Sequence, residues 1–164
     1  MNIDDFSDEF KWQIATRSAT AMPFAYEMVL GDILGDNGDE LLRQIWTNGG
    51  KEAADLAMVL GFPASNAPEI SQAQSVVFNM LYGPELKYET VSKSEDQVLD
   101  RITECPMLNR AIEMDIALDG ICESCQATNR AFVENMNPNY TQRTTKAMCL
   151  GSEYCEMCTE LRNK

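Results

Sequence analysis

The chain has 164 residues, 45% of them hydrophobic, with no histidine and a formal net charge of −13. This length suits one domain with a sizeable core, which we expect to span residues 1–164. The acidic excess argues against nucleic acid and anionic membranes as partners, because phosphate groups bind basic side chains, and it leaves a basic protein partner open. No segment is apolar over the roughly 18 residues that a membrane-spanning helix needs. The acidic start Met1–Asp5 is unlike a secretory signal, so we expect a cytoplasmic protein.

The first half of the chain, residues 1–83, has the apolar spacing of helices. We predict helices over about residues 7–22, 24–34, 40–60 and 70–81. Pro23 is expected to end or kink the first helix, because proline lacks the N–H of the helical ladder. Two glycines mark a turn at residues 35–38, and Asp39 is placed to cap the third helix.

The second half, residues 84–164, alternates between strand and helix patterns. We predict strands over about residues 86–92, 97–104, 140–149 and 154–161, with helices over 107–115 and 119–136. The first two strands are joined by a polar turn, and the last two form a hairpin around residues 150–153. The predicted fold class is therefore α+β, with N-terminal helices packed on a small antiparallel sheet of about four strands.

Cysteines are the residues most informative about chemistry. All six fall in the second half, as Cys105, Cys122, Cys125, Cys149, Cys155 and Cys158, and they include two C-x-x-C pairs. In a reducing cytoplasm such thiols are expected to be metal ligands, redox groups or buried residues rather than disulfides. Since no imidazole is available, a metal site here must be rich in sulfur, which suits zinc or an iron–sulfur cluster. Spacing alone does not separate these two cofactors.

Geometry favours some of these thiols over others. Cys122 and Cys125 are three residues apart near a helix start, so they share a face, and the helix dipole is expected to lower their pKa values. Cys149 and Cys155 flank the hairpin turn and complete the predicted ligand quartet. Strand alternation turns Cys158 to the other face of the sheet, which makes it the weakest candidate ligand. Cys105, at a strand end, can replace one member of the quartet.

Other features identify no catalytic centre. Without histidine, a general base must be a carboxylate, lysine, tyrosine or cysteine. Glu113, Asp115 and Glu123 are candidates, although each also fits a solvated helix position. No phosphate-binding glycine motif is present. The ten methionines suit adaptable core filling, or alternatively an apolar ligand pocket between the helices and the sheet.

Two segments carry a family resemblance: LGDILGDNGDELLRQIW at residues 30–46 and FVENMNPNYTQRTTKAMCLGSEYCEM at residues 132–157. Together with Cys105-Pro106, they resemble the L-2-amino-thiazoline-4-carboxylic acid hydrolase-like family. The end of the second segment, CLGSEYCEM, is also similar to the 4-vinyl reductase domain, a small-molecule-binding module. The resemblance implies a helical layer over an antiparallel sheet, with shared positions at Cys105, Cys125, Cys149 and Cys155. It further implies either hydrolytic opening of a small sulfur heterocycle or binding of a small apolar or aromatic molecule.

Two functions follow as expectations. The first is a cysteine-rich metal-binding domain with a small-molecule pocket, in a sensing, structural or electron-transfer role. The second is a hydrolase of the resembled family, in which a metal-bound water or a cysteine such as Cys125 attacks the substrate. The sequence leaves open whether the protein is an enzyme and what its oligomeric state is.

Overall fold

The computed structural model describes residues 1–34 and 38–162. Its elements in chain order are α1 (Asp8–Leu34), α2 (Gly38–Val59), α3 (Ala67–Tyr82), β1 (Lys87–Lys93), β2 (Gln97–Glu104), α4 (Pro106–Glu113), α5 (Asp119–Met136), β3 (Tyr140–Lys146) and β4 (Cys155–Leu161). Short 3-10 helices occupy Ile3–Asp5 and Met148–Leu150. No helix among these described residues is both long and apolar enough to cross a membrane.

The four strands form one antiparallel sheet in the order β1-β2-β4-β3. In the two central strands Asp100 lies opposite Met157. The hairpin of β3 and β4 sets Gln142 opposite Thr159. This arrangement confirms the predicted α+β class: three helices precede a small four-stranded sheet, and two more lie in the chain between its strands β2 and β3.

The main core lies between helices α2, α3 and α5 and the inner face of the sheet. Its fully buried side chains include Ile70 and Val77 from α3, Phe132 from α5 and Val98 from β2. A second, smaller cluster joins α1 to α4 and α5 through Phe24, Met107, Ala111 and Ile121. The helical half and the strand-rich half are therefore held together by shared apolar packing.

Helix α1 runs without interruption through Pro23. The prediction that Pro23 would separate helices over 7–22 and 24–34 is wrong. Thr16 and Thr20 are buried before the proline and Phe24 directly after it, so packing holds the chain helical on both sides. Thr20 Oγ1 also donates a 2.8 Å hydrogen bond to the carbonyl oxygen of Thr16. One backbone hydrogen bond lost at proline is a smaller cost than breaking these contacts.

The connection between α1 and α2 is only partly described. The first three residues of the predicted turn at 35–38, and the side chain of Asp39, lie outside the described part. Helix α2 begins at Gly38, so Asp39 lies within the helix and not at the capping position predicted for it. The helix continues through the Gly49-Gly50 pair, and Gly50 allows α5 to approach closely. A Cβ at Gly50 would lie 2.2 Å from the carbonyl oxygen of Thr128.

A buried carboxylate ties α3 to the sheet. Asp100 on β2 is fully buried and accepts hydrogen bonds from Ser71 Oγ at 2.7 Å, Tyr88 OH at 2.8 Å and Thr90 Oγ1 at 2.8 Å. Hydroxyl donors thus replace the water that the carboxylate loses on folding. The three bonds fix the position of the edge strand β1 against β2 and α3.

Candidate functional site: a cysteine-lined apolar pocket

A small cavity of about 70 Å³ lies at the second core cluster, where α4, α5 and the Met148–Leu150 turn meet the inner face of the sheet. Its walls are aromatic, aliphatic and sulfur-containing side chains with a few uncharged polar groups. They are Trp46, Phe78, Tyr82, Leu86, Ile102, Cys105, Met107, Leu108, Ile121, Cys122, Cys125, Thr128, Asn129, Thr144, Ala147, Met148, Cys149, Cys155 and Met157. No charged residue lines the pocket among the described residues.

Five of the six cysteines line this pocket, which brings together thiols that are far apart in the chain. Cys105 immediately precedes α4, and Cys122 and Cys125 lie in the first two turns of α5. Cys149 is in the short 3-10 helix, and Cys155 begins β4. The sixth cysteine, Cys158, is not among the residues that line the pocket.

Cys158 does not line the pocket. It is buried, and its Sγ lies 3.4 Å from Glu160 Oε2. Cys155 and Cys158 are three residues apart on β4, so their side chains alternate to opposite faces of the sheet. The exclusion of Cys158 from the pocket therefore follows from ordinary strand geometry without a bulge.

Two sulfur contacts stand out within the pocket. Cys122 lies near enough to Cys149 to help raise the pKa of its thiol, and the backbone N–H of Met148 donates to Cys155 Sγ at 3.3 Å. Across residues 1–34 and 38–162, however, no three cysteine, aspartate or glutamate side chains are near enough to hold one metal ion together. The six-cysteine metal site stays a prediction.

Burial decides the protonation of these thiols. It raises the pKa of Cys125 well above its usual value, and neighbouring sulfur atoms add to the effect. Burial likewise raises the pKa values of Cys105 and Cys155, and raises that of Cys149 to about 12. The predicted lowering of the Cys125 pKa by the helix dipole is wrong, because the dipole acts within the first turn and desolvation outweighs it. Cys105, Cys125, Cys149 and Cys155 are therefore thiols at neutral pH.

Three polar side chains in the pocket retain hydrogen-bonding capacity. The hydroxyl groups of Tyr82 and Thr144 have no hydrogen-bond partner within the described part of the chain. Asn129 accepts a 3.1 Å hydrogen bond from Gln74 at Oδ1, which leaves its amide N–H groups available. Burial, followed by the nearby Cys125 and Cys105, raises the pKa of Tyr82 far above its usual range. The tyrosine is a neutral donor and acceptor inside an apolar pocket.

Sequence reasoning did not identify these polar groups. Tyr82 is the last residue of α3, and Asn129 lies in the middle of α5, where helical periodicity carries no functional signal. The three acidic residues considered as proton-transfer groups, Glu113, Asp115 and Glu123, do not line the pocket. Glu113 instead forms a 2.8 Å ion pair with Arg17 on α1.

Comparisons with known proteins identify solved structures of similar fold. No family model matches the chain, so its resemblance to the thiazoline hydrolase-like family stays a prediction. No curated protein matches it either. The chain is similar in structure to the phenol-responsive sensory domain of the transcription activator PoxR, solved with phenol. The two align with a TM-score of 0.61 at 12% identity over 87% of this chain and 74% of that one.

A second similar structure is a trafficking protein particle complex subunit 3 from Naegleria fowleri, solved covalently bound to palmitic acid. The TM-score is 0.60 at 16% identity, over 89% of this chain and 96% of that one. Both identities are low, so the likeness concerns the fold and not the residues of a site. The chain thus has the fold shared by a phenol-responsive sensory domain and a trafficking complex subunit.

Proposed function

We propose that this protein is a small-molecule-binding domain of the sensory type, whose ligand is neutral, mostly apolar and about the size of one aromatic ring. The observation that carries the proposal is the pocket of uncharged side chains between the helices and the inner face of the sheet. Such concave apolar sites with a few polar groups are the usual binding sites for small ligands. The PoxR domain, solved with phenol, supports a pocket ligand of this class on this fold.

Cavity size limits the ligand. An apolar cavity of roughly 150 Å³ can hold benzene, and this one, at about 70 Å³, is smaller. Met107, Met148 and Met157 line it, and methionine side chains change rotamer at low cost. One ring can therefore enter only when rotamer changes of these methionines enlarge the cavity about twofold. A long acyl chain, as carried by the trafficking subunit, would require far larger rearrangement.

The charge of the ligand follows from the pocket lining. Burying an ion without a partner is costly, and no lining residue supplies a counter-charge. Tyr82, Asn129 and Thr144 instead offer hydrogen bonds to a hydroxyl, carbonyl or amide group. The ligand class supported is therefore a neutral ring with one or two polar substituents.

Calorimetric titration with matched aromatic compounds tests this proposal. Phenol is expected to bind, whereas benzoate at pH 7 is expected to bind at least about 100-fold more weakly because its carboxylate would be buried unpaired. Tyr82→Phe should weaken phenol binding about 5- to 10-fold if its hydroxyl contacts the ligand. Equal binding of phenol and benzoate, or binding of neither phenol nor any other neutral single-ring compound, would contradict the proposal.

A second candidate function is a thiolate metal site at the same pocket, with zinc or an iron–sulfur cluster as the cofactor. Cys122, Cys149 and Cys155 are the ligands proposed, because Cys122 is near enough to Cys149 to help raise its pKa and a backbone N–H points at Cys155 Sγ. In the described residues these side chains do not form a metal-binding group, so they would have to move closer together to hold one ion. The donor chemistry fits both cofactors, and Cys105 and Cys125, which line the same pocket, are candidates for a fourth sulfur. When bound, either cofactor would fix the position of α5 relative to the hairpin.

Anaerobic purification followed by elemental analysis and a visible spectrum tests the metal candidate. Stoichiometric zinc, or iron with matching sulfide, that is lost in Cys149→Ser and kept in Cys158→Ser would support it. Protein that contains none of these, and that binds no added zinc, would exclude this candidate while leaving the ligand proposal intact.

Hydrolysis is the weaker alternative on this geometry. A carboxylic acid substrate, as named for the resembled family, would enter a pocket in which none of the described lining residues is a lysine or arginine that could pair with it. Its thiols have raised pKa values, which disfavours the thiolate form that attacks a substrate. We therefore place binding ahead of hydrolysis.

A further inference from the structure

The outer face of α1 is apolar and is covered by none of the described residues, and we infer that it is the interface of a homodimer. Helix α1 contacts the rest of the protein through one face, which carries the buried residues Thr16, Thr20 and Phe24. The opposite face carries Ala15, Ala19, Met22, Tyr26 and Val29, all exposed. We call these five residues the α1 seam.

The α1 seam has the spacing of a helix-pairing surface. Its members are separated by four, three, four and three residues, which is the repeat that lets two helices pack side by side. Tyr26 is 57% exposed and Val29 61% exposed, which is unusual for large apolar side chains on the same stripe. A helix face of this kind is stable in water when another helix covers it.

The charge distribution along α1 permits a second copy as the partner. The chain carries a net charge of −13, so two copies repel each other over most of their surfaces. Residues 12–29 contain only two charged residues, Arg17 and Glu27, although charged residues make up 24% of the chain. Two copies can therefore approach closely along this helix without bringing many like charges together.

The size order along the seam is self-complementary. Its first half has the small residues Ala15 and Ala19, and its second half has the large residues Met22 and Tyr26. We consider two antiparallel copies of α1 related by a two-fold axis midway between Ala19 and Met22. In this arrangement Met22 faces Ala19 of the second copy, and Tyr26 faces its Ala15. A two-fold interface requires this reciprocity, because each contact occurs twice.

The available area also suits a dimer. Trp12 extends the seam towards α3, where its Nε1 donates a 3.1 Å hydrogen bond to the carbonyl oxygen of Met80. With Trp12 and the exposed Val76 and Met80, the seam offers on the order of 600 Å² of apolar surface. A standard interface takes about 800 Å² from each partner, somewhat more than half of it apolar. The face is large enough for a stable dimer without help from the sheet.

Analytical ultracentrifugation of the full chain tests the inference. We expect a species of twice the 18.4 kDa chain mass at micromolar concentration, and tighter association in 500 mM than in 50 mM NaCl because salt screens the mutual repulsion. Met22→Glu should weaken the dimer at least about 100-fold, since two carboxylates meet near the axis. Met58→Glu is the matched control, because Met58 is similarly exposed but lies on α2.

The inference would be overturned if the wild-type protein is monomeric at about 100 µM. This concentration is well above the dissociation constant expected of a standard interface. A dimer that survives Met22→Glu or is lost equally in Met58→Glu would also overturn it. Circular dichroism checks that each variant folds. If Met22→Glu does not fold, hydrogen exchange of the wild-type protein provides the test. The inference predicts that the amides of residues 15–29 become more protected as the protein concentration rises. Exchange that does not change with concentration would refute it.

Discussion

Cys155 and Cys158 lie three residues apart on β4, yet only Cys155 lines the apolar pocket, while Cys158 contacts Glu160 on the other face of the sheet. The C-x-x-C spacing on a strand thus separates two thiols, whereas on α5 the same spacing sends Cys122 and Cys125 into one pocket. Cys158 is therefore a built-in control for every test of the pocket.

Thiol ionisation should make the protein less stable in alkaline solution. Burial holds the pocket thiols protonated, and for Cys149 it raises the pKa from 9.0 in the unfolded chain to about 12. The resulting stabilisation is complete below pH 9 and is lost as pH rises from 9 towards 12, because only the unfolded chain then releases the proton. Urea midpoints should fall between pH 8 and pH 10.5, with a shallower fall in Cys149→Ala. A midpoint that stays constant over this interval would show that the thiols ionise freely in the folded protein.

Substitution at Gly50 should strongly destabilise the contact between α2 and α5. An added Cβ would lie 2.2 Å from the Thr128 carbonyl oxygen and 3.0 Å from the Ala131 Cβ. We expect Gly50→Ala to lower the free energy of unfolding by about 1–3 kcal/mol or more, measured by urea denaturation. The adjacent Gly49→Ala meets nothing within 4 Å and should raise stability by about 0.5–1 kcal/mol through helix propensity. Equal effects at the two positions would mean that the helices are farther apart than described.

Asp100→Asn should destabilise the sheet edge. The carboxylate accepts three hydrogen bonds from hydroxyl groups through its two oxygens. In asparagine an amide nitrogen replaces one of these oxygens, and this nitrogen cannot accept a hydrogen bond. We expect a loss of about 2–4 kcal/mol in the free energy of unfolding. Asp96→Asn, in the exposed turn between β1 and β2, should change it by less than about 0.5 kcal/mol. Similar losses for both variants would show that the three hydroxyl contacts contribute little.

Local patterns predicted the elements well wherever side-chain periodicity and chain breakers agree. The predicted spans 97–104 and 119–136 coincide with β2 and α5, because a polar turn precedes the strand, Pro106 follows it, and Pro138 follows the helix. Pro23 misled the prediction, since its effect was outweighed by the burial of Thr20 and Phe24 against elements distant in sequence.

The site itself could be predicted only in part. Spacing and strand alternation identified which cysteines can share a face, and they set Cys158 apart. The raised pKa of Cys125 and the free hydroxyl of Tyr82 depend on burial by residues far along the chain, which spacing does not encode. The exposure of the α1 seam likewise depends on which face of α1 the rest of the protein covers.

The most direct test of the central claim is a fluorescence titration with phenol. Trp46 lines the pocket, and Trp12→Phe leaves it as the sole tryptophan, so ligand binding should change its emission. In that background we expect saturable binding that Cys125→Leu weakens at least about 10-fold by filling the cavity, and that Cys158→Ala leaves unchanged. Saturable binding unaffected by Cys125→Leu, or no change in Trp46 emission with phenol or any neutral single-ring compound, would contradict a ligand site in this pocket.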